Sequence, residues 1–146
     1  MSFSRFNKVF CRLYRRFLYR IAGGLVLLLT TTGRKSGRAH TVGLQYELID
    51  RRYWVGAALG VQADWFRNIA ANPEVSIRAG KRKFDAAAEI VTDSGRVADF
   101  LSYRLKKRPV MLRMILRRGG LKGKVTREKL LDYAARIRVV VFTPHQ

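Results

Sequence analysis

Acidic residues, cysteine and histidine are scarce in this 146-residue chain, and each shortage excludes something. A single cysteine, Cys11, cannot make an intramolecular disulfide, and with His40 and His145 as the two histidines it forms no familiar zinc spacing. A disulfide-stapled secreted module and a Cys/His metal site are both excluded. No apolar run approaches the ~20 residues that span a bilayer, so a transmembrane helix is not expected either. The ten Asp and Glu stand against 30 Lys and Arg, a formal net charge of +20. Such a surface calls for an anionic partner: nucleic acid, an acidic membrane, or a phosphorylated or polycarboxylate small molecule. Against these shortages stand 48% hydrophobic and 11% aromatic residues, too many for a disordered basic tail. The length matches one domain with one main core.

The charge is unevenly placed. Residues 1–22 carry six basic and no acidic residues, and residues 101–129 carry 11 and one, whereas residues 23–100 carry 11 and eight. The excess therefore sits on two flanks of a nearly balanced body. In the first flank Phe3, Phe6, Val9, Phe10, Leu13, Tyr14, Phe17 and Ile21 recur at helical spacing, with Arg5, Lys8, Arg12, Arg15, Arg16 and Arg20 between them. This predicts a basic amphipathic helix over residues 1–22, ahead of a single domain over residues 23–146. Its apolar stripe can pack on that domain, lie on an anionic membrane, or do both. Arg15-Arg16-Phe17-Leu18 superficially resembles a twin-arginine export signal, but the following apolar run is short and ends in Thr-Thr-Thr-Gly without a cleavage site. The expected location is the cytoplasm, with peripheral attachment to the inner face of the cell membrane left open.

Further along, Leu25–Thr31 reads as a strand buried on both faces, His40–Ile49 as an alternating strand, and 53–58 as a third. Asp64 is placed as the N-cap of a short helix stopped by Asn72-Pro73. Strands follow at Val75–Ile77 and Phe84–Val91, then helices opened by Asp93-Ser94, Pro109 and Thr126, and a last strand at Ile137–Thr143. Nearby antiparallel strands with one helical excursion point to a mainly β, α+β protein built as a small closed or half-closed barrel.

The densest chemical signal is Thr32-Gly33-Arg34-Lys35-Ser36-Gly37-Arg38, a glycine-bracketed turn after a strand. Glycines let backbone amides turn toward an anion while Arg and Lys neutralise it, so the turn reads as a phosphate or carboxylate cradle, or as an ordinary polar hairpin turn. It lacks Walker A spacing. The Asp64–Asn72 helix, after a glycine-containing stretch at residues 56–60, could receive a flat ligand or a phosphate, though Trp65-Phe66 reads first as core. No Ser-His-acid set or zincin motif occurs, and His40 reads as structural. Chemistry on a bound cofactor needs none of these residues.

The string Leu29-Thr30-Thr31-Thr32-Gly33-Arg34-Lys35-Ser36-Gly37-Arg38, then Leu44-Gln45-Tyr46, Asp64-Trp65-Phe66-Arg67-Asn68-Ile69 and Ala71-Asn72-Pro73-Glu74-Val75, resembles the deazaflavin (coenzyme F420)-dependent nitroreductase family. The resemblance runs in order from about residue 25 to residue 91, and Tyr103–Pro109 is similar to a later helix of the family. It implies a split β-barrel of FMN-binding-like fold and hydride transfer from the reduced coenzyme to a quinone, nitroaromatic or enone. Arg34, Lys35, Ser36, Gly37 and Arg38 match the loop that holds the coenzyme's phosphate and acidic oligoglutamyl tail. Residues 56–60, with Ala58, Leu59 and Gly60, match the loop against the ring; Trp65 and Asn68 match the helix behind it. Tyr46 matches a strand aromatic expected to contact or protonate the acceptor.

This chain departs from the family's pattern in three places. Gly43 replaces a usual proline, Phe66 a usual tyrosine, and Ala57–Gly60 a stretch that commonly holds serine or tryptophan beside glycine. The departures keep FMN open as an alternative cofactor, and the net charge keeps open a non-enzymatic protein that binds nucleic acid or a membrane surface. Nucleic acid is disfavoured because the aromatics of residues 3–17 follow a helical stripe rather than standing free to stack. A homodimer is compatible with the resemblance, and no metal is expected.

Overall fold

The computed structural model describes residues 3–57 and 62–145. A helix α1 (Phe3–Leu13) continues through a π-helical turn (Tyr14–Leu18) into α2 (Tyr19–Ala22). Strands β1 (Val26–Thr32), β2 (Ala39–Gln45), β3 (Glu47–Ile49) and β4 (Arg52–Ala57) follow, then α3 (Asp64–Ala71), β5 (Glu74–Ala79) and β6 (Arg82–Val91). Three helices, α4 (Ser94–Lys107), α5 (Pro109–Arg118) and α6 (Arg127–Ala134), precede β7 (Arg138–Pro144).

The strands form one antiparallel sheet in the order β2-β1-β5-β6-β7-β4-β3. The stretch expected to be one strand over His40–Ile49 is two, and they sit at opposite edges of the sheet. β2 pairs with β1 and β3 pairs with β4, so Tyr46, the single residue between them, carries the chain across the gap. The backbone N–H of Tyr46 donates to the Leu25 carbonyl, and its hydroxyl donates to the Gly23 carbonyl. These bonds bend a continuous alternating pattern into a corner, and curling brings β2 close to β4. The result is a split barrel whose seam runs between β2 and β4.

Three apolar clusters explain the burial pattern. Inside the barrel, Leu27 and Leu29 of β1 meet Val75, Ile77, Val140 and Phe142. On one outer face Leu28 packs with Cys11 and Tyr14 of the N-terminal helix. On another, Val139 and Val141 of β7 face Val97, Leu101, Leu112, Leu116 and Leu130 of the helical insert. β1 and β7 are therefore covered on both faces, which is why their sequences are apolar runs rather than alternations. Caps fall where short polar side chains precede apolar periodicity: Asp93 accepts from the Arg96 N–H, and Thr126 from the Lys129 N–H. Asp64 does not cap α3. It is the first helical residue, Ala63 is the cap position, and the Asp64 carboxylate takes Arg34 instead.

The N-terminal helix is clamped to the barrel by tyrosine hydroxyls. Tyr14, fully buried, donates to the Val26 carbonyl at 2.8 Å and accepts from the Gly80 N–H at 2.9 Å. The ring of Phe10 lies on the Cα of Gly43, so that a Cβ there would meet Phe10 Cε1 at 2.5 Å. This accounts for glycine at position 43. Gly43→Ala is expected to push Phe10 off the strand and to destabilise the protein by about 1–3 kcal/mol. Chemical denaturation measures the loss, and a Gly43→Ala/Phe10→Leu double variant should recover part of it. Purely additive effects would show that the two positions do not interact.

Candidate active site

A cleft of about 1280 Å³ opens between α1, β2, the β1–β2 turn and α3. Lys8 and Arg12 of α1 and Arg15 of the π-helical turn line it together with Arg34, Lys35 and Ser36 of the β1–β2 turn. Apolar lining comes from Val42, Leu44 and Trp65. The helix places these groups by its three-sided pattern. Cys11 and Tyr14 face the barrel, Lys8, Arg12 and Arg15 face the cleft, and Phe6, Val9, Leu13 and Phe17 remain exposed.

The turn is built differently from the amide cradle its glycines imply. The Gly33 N–H donates to the Arg38 carbonyl, Gly37 N–H to the Gly33 carbonyl, Arg38 N–H to Ser36 Oγ, and Arg34 N–H to Asn68 Oδ1. With these four amides engaged within the protein, the positive character of the turn comes from its side chains. Gly37, at φ +70°, permits the reversal.

Asn68 is the centre of the polar network beneath the cleft. It is buried, and its Nδ2 donates to Thr31 Oγ1 at 3.0 Å. Its Oδ1 accepts from the Arg34 N–H at 3.2 Å and from the Arg34 guanidinium at 2.9 Å. A second guanidinium nitrogen donates to Asp64 Oδ1 at 3.2 Å. Arg34 is thus held in one orientation before any ligand arrives, which lowers the entropy lost on binding. Lys35 and Arg38 have exposed side chains.

Of the residues singled out in the sequence, Arg34, Lys35, Ser36, Trp65 and Asn68 line one cleft, while Gly37 and Arg38 shape the turn without lining it. Ala58, Leu59 and Gly60 lie outside the described residues. Tyr46 is not brought to the cleft. It is buried against Tyr53, and burial pushes its pKa up to about 12. Its hydroxyl is given to the Gly23 carbonyl, and it shapes the corner between β2 and β3. Its neighbour Gln45 points the other way and is exposed. The residues missed in the sequence are Lys8, Arg12 and Arg15. Their spacing marks them as the basic side of a helix, but only the docking of that helix makes them part of the site.

A second, smaller chamber of about 430 Å³ lies along the seam, between β2, β4 and the helical insert. It shares Gly43, Leu44 and Trp65 with the first, and adds Gln45, Gly56 and Arg104 among apolar residues. No group of three or more metal-ligating side chains occurs among the described residues.

A half-closed antiparallel barrel with a cation-lined cleft beside its seam defines a split β-barrel with a site for an acidic ligand. Two solved structures share this fold: an F420-H2-dependent reductase, 22% identical over 80% of this chain and 92% of that one, with a TM-score of 0.55, and a Listeria innocua protein assigned as a pyridoxamine 5'-phosphate oxidase. The latter is 13% identical over 92% of this chain and 94% of that one, with a TM-score of 0.57. The model of the F420H(2)-dependent quinone reductase family matches residues 6–111, and the chain belongs to that family. An F420H(2)-dependent quinone reductase of Mycobacterium tuberculosis is 35% identical over 68 residues, which cover 44% of this chain and 46% of that protein. The match thus spans about half of the relative's length.

Proposed function

We propose that this protein is an oxidoreductase that binds reduced coenzyme F420 in the larger cleft and serves a quinone, nitroaromatic or enone acceptor. The observation that carries the reading is the convergence of five cations from two distant segments, Lys8, Arg12 and Arg15 with Arg34 and Lys35, on one cleft in a chain of this family. A flat ring bearing a phosphate and an acidic oligoglutamyl tail fits such a lining. Trp65, Val42 and Leu44 offer apolar surface to the ring, and the cations offer charge-assisted hydrogen bonds to the anionic groups. When bound, the reduced coenzyme supplies a hydride. The chain's own work is orientation: Asn68 and Asp64 hold Arg34, and Arg34 fixes the anionic end of the ligand.

Titration of the purified protein with the coenzyme, followed by coenzyme fluorescence, tests this. Saturable binding at micromolar protein is expected, and its absence overturns the reading. FMN is the comparison ligand in the same titration. Cations spread over a helix and a turn suit a long acidic tail better than one phosphate, so FMN should bind more weakly.

No helix among the described residues is long and apolar enough to cross a membrane. The N-terminal helical segment nonetheless carries exposed apolar side chains, with Phe6 59% and Phe17 49% exposed beside Val9 and Leu13. We infer that these side chains rest on an anionic membrane, where a dissolved quinone would be at hand. The protein should sediment with vesicles containing anionic lipid, and Phe6→Ser/Phe17→Ser should stay in the supernatant. Equal sedimentation of both proteins would refute the attachment.

A further inference from the structure

Among the described residues that line the smaller chamber, Arg104 has a buried nitrogen, Nε, without a hydrogen-bond partner. The residue is 9% exposed, and its guanidinium makes no hydrogen bond among the described residues. Its nearest carboxylate oxygen, Glu47 Oε1, stands 4.0 Å from Nε. That carboxylate is already engaged by Arg108 at 2.8 Å and Lys107 at 3.1 Å. Phe100 lies under the guanidinium, 5.8 Å from ring centroid to Cζ. Nε is buried without an acceptor, which is costly, and the terminal nitrogens carry four further N–H donors without a protein partner among the described residues. The remaining surroundings are apolar or backbone: Leu101, Leu112, Ile115, Val139 and Gly56, where a Cβ would come within 3.8 Å of an Arg104 terminal nitrogen.

The local charge is also unbalanced. Glu47 faces Arg104, Lys107 and Arg108, three cations to one carboxylate. Lys107 and Arg108 keep 46% and 28% of their side chains in solvent, which screens them, whereas the Arg104 side chain keeps 11%. Glu47 thus balances the Arg104 charge only at 4.0 Å, with its oxygens engaged by the other two cations, and the Arg104 guanidinium borders a chamber that shares Leu44 and Trp65 with the larger cleft.

We propose that Arg104 is a specificity-determining residue that receives an anionic oxygen carried on a flat apolar ring, an enolate or carboxylate, of a molecule seated in the smaller chamber. Resting on the reading of the protein as a reductase, this assigns the chamber to the electron acceptor and selects ring acceptors that bear such an oxygen. The apolar walls take the ring, and the guanidinium forks onto the oxygen. Gln45, exposed at the end of β2 and also lining the chamber, adds a polar contact.

Two probes of nearly equal shape test the assignment in the absence of coenzyme: 2-hydroxy-1,4-naphthoquinone, ionised at neutral pH, and neutral 1,4-naphthoquinone, each followed by quenching of tryptophan fluorescence. The native protein should bind the anion at least about tenfold more tightly, as one charge-assisted hydrogen bond predicts. Arg104→Met should erase that preference while keeping the affinity for the neutral probe, and Arg104→Lys should retain part of it. A native protein without preference overturns the proposal. So does a preference that survives Arg104→Met and disappears instead on Lys8→Gln/Arg12→Gln, because the larger cleft would then be the source. Should Arg104→Met fail to fold, Ile115→Phe fills the chamber and keeps every charge. Loss of both probes in that variant supports the chamber, and unchanged binding refutes it. Because the probes are bound without coenzyme, failure here leaves the coenzyme titration to stand or fall separately.

Discussion

Replacing Glu47 by Ala is expected to destabilise the protein by about 3 kcal/mol, the low end of the range for removing one partner of a buried ion cluster. The carboxylate is 2% exposed at the start of β3, and Arg104, Lys107 and Arg108 converge on it from the helical insert. It joins the last strand at one sheet edge to the helices that cover the other outer face. Without it, the buried Arg104 has no counter-charge, while Lys107 and Arg108 can turn to solvent, which keeps the loss below the upper end of the range. Burial pushes the Glu47 pKa up, but the hydrogen bonds and charges of Arg108 and Lys107 outweigh it, and the net shift is downward. A lowered folded-state pKa contributes stability above the ordinary carboxylate value of about 4.3, and that contribution fades as pH falls through the lower folded value. Urea denaturation should therefore show a large gap between native protein and Glu47→Ala at pH 7, narrowing toward pH 3. A gap that does not depend on pH would mean that packing, not charge, is what Glu47 supplies.

Coenzyme binding should fail in two separable ways. Arg34→Ala/Lys35→Ala is expected to weaken it by about 1.5–3 kcal/mol for each charged hydrogen bond removed, roughly a hundredfold or more in Kd for the pair. Lys8→Gln/Arg12→Gln/Arg15→Gln should weaken it as well, although these residues are far from the turn in sequence. The helix triple should also flatten the salt dependence of binding, since those charges lie on an open cleft where screening is effective. Fluorescence titrations at two salt concentrations measure both effects. If the helix triple binds the coenzyme like the native protein, α1 is a scaffold and not a wall of the site.

Much of the secondary structure could be read directly. The β1 and β7 runs, the turn at Gly80-Lys81, the helix starts at Asp93 and Thr126 and the break at Pro109 all carry local signals, and local sterics and capping suffice to produce them. The split barrel came from a family resemblance, and the similar solved structures share it. The corner at Tyr46 could not be read locally. Residues 40–49 alternate without interruption, and what divides them is a set of contacts from elsewhere, the Leu25 and Gly23 carbonyls for Tyr46 and the insert cations for Glu47. The role expected of Tyr46 came from the family resemblance, and the sequence does not show the hydrogen bond that its hydroxyl makes to the Gly23 carbonyl. Asp64 misled in a similar way, because a capping residue and an ion-pair partner share the same chemistry, and the position of Arg34 decided between them.

The scarcity of acidic residues set one expectation without any structure: a partner of opposite charge. A charge of +20 survives any fold, because charge is a property of composition. Which cations gather in one cleft was decided only by packing. Docking of the N-terminal helix through Phe10 on Gly43 and Tyr14 on β1 turned Lys8, Arg12 and Arg15 toward Arg34 and Lys35. The same folding buried Arg104 with its Nε unpartnered. Helical periodicity assigns faces relative to one helix axis, whereas the neighbour each face receives depends on contacts between residues distant in the chain.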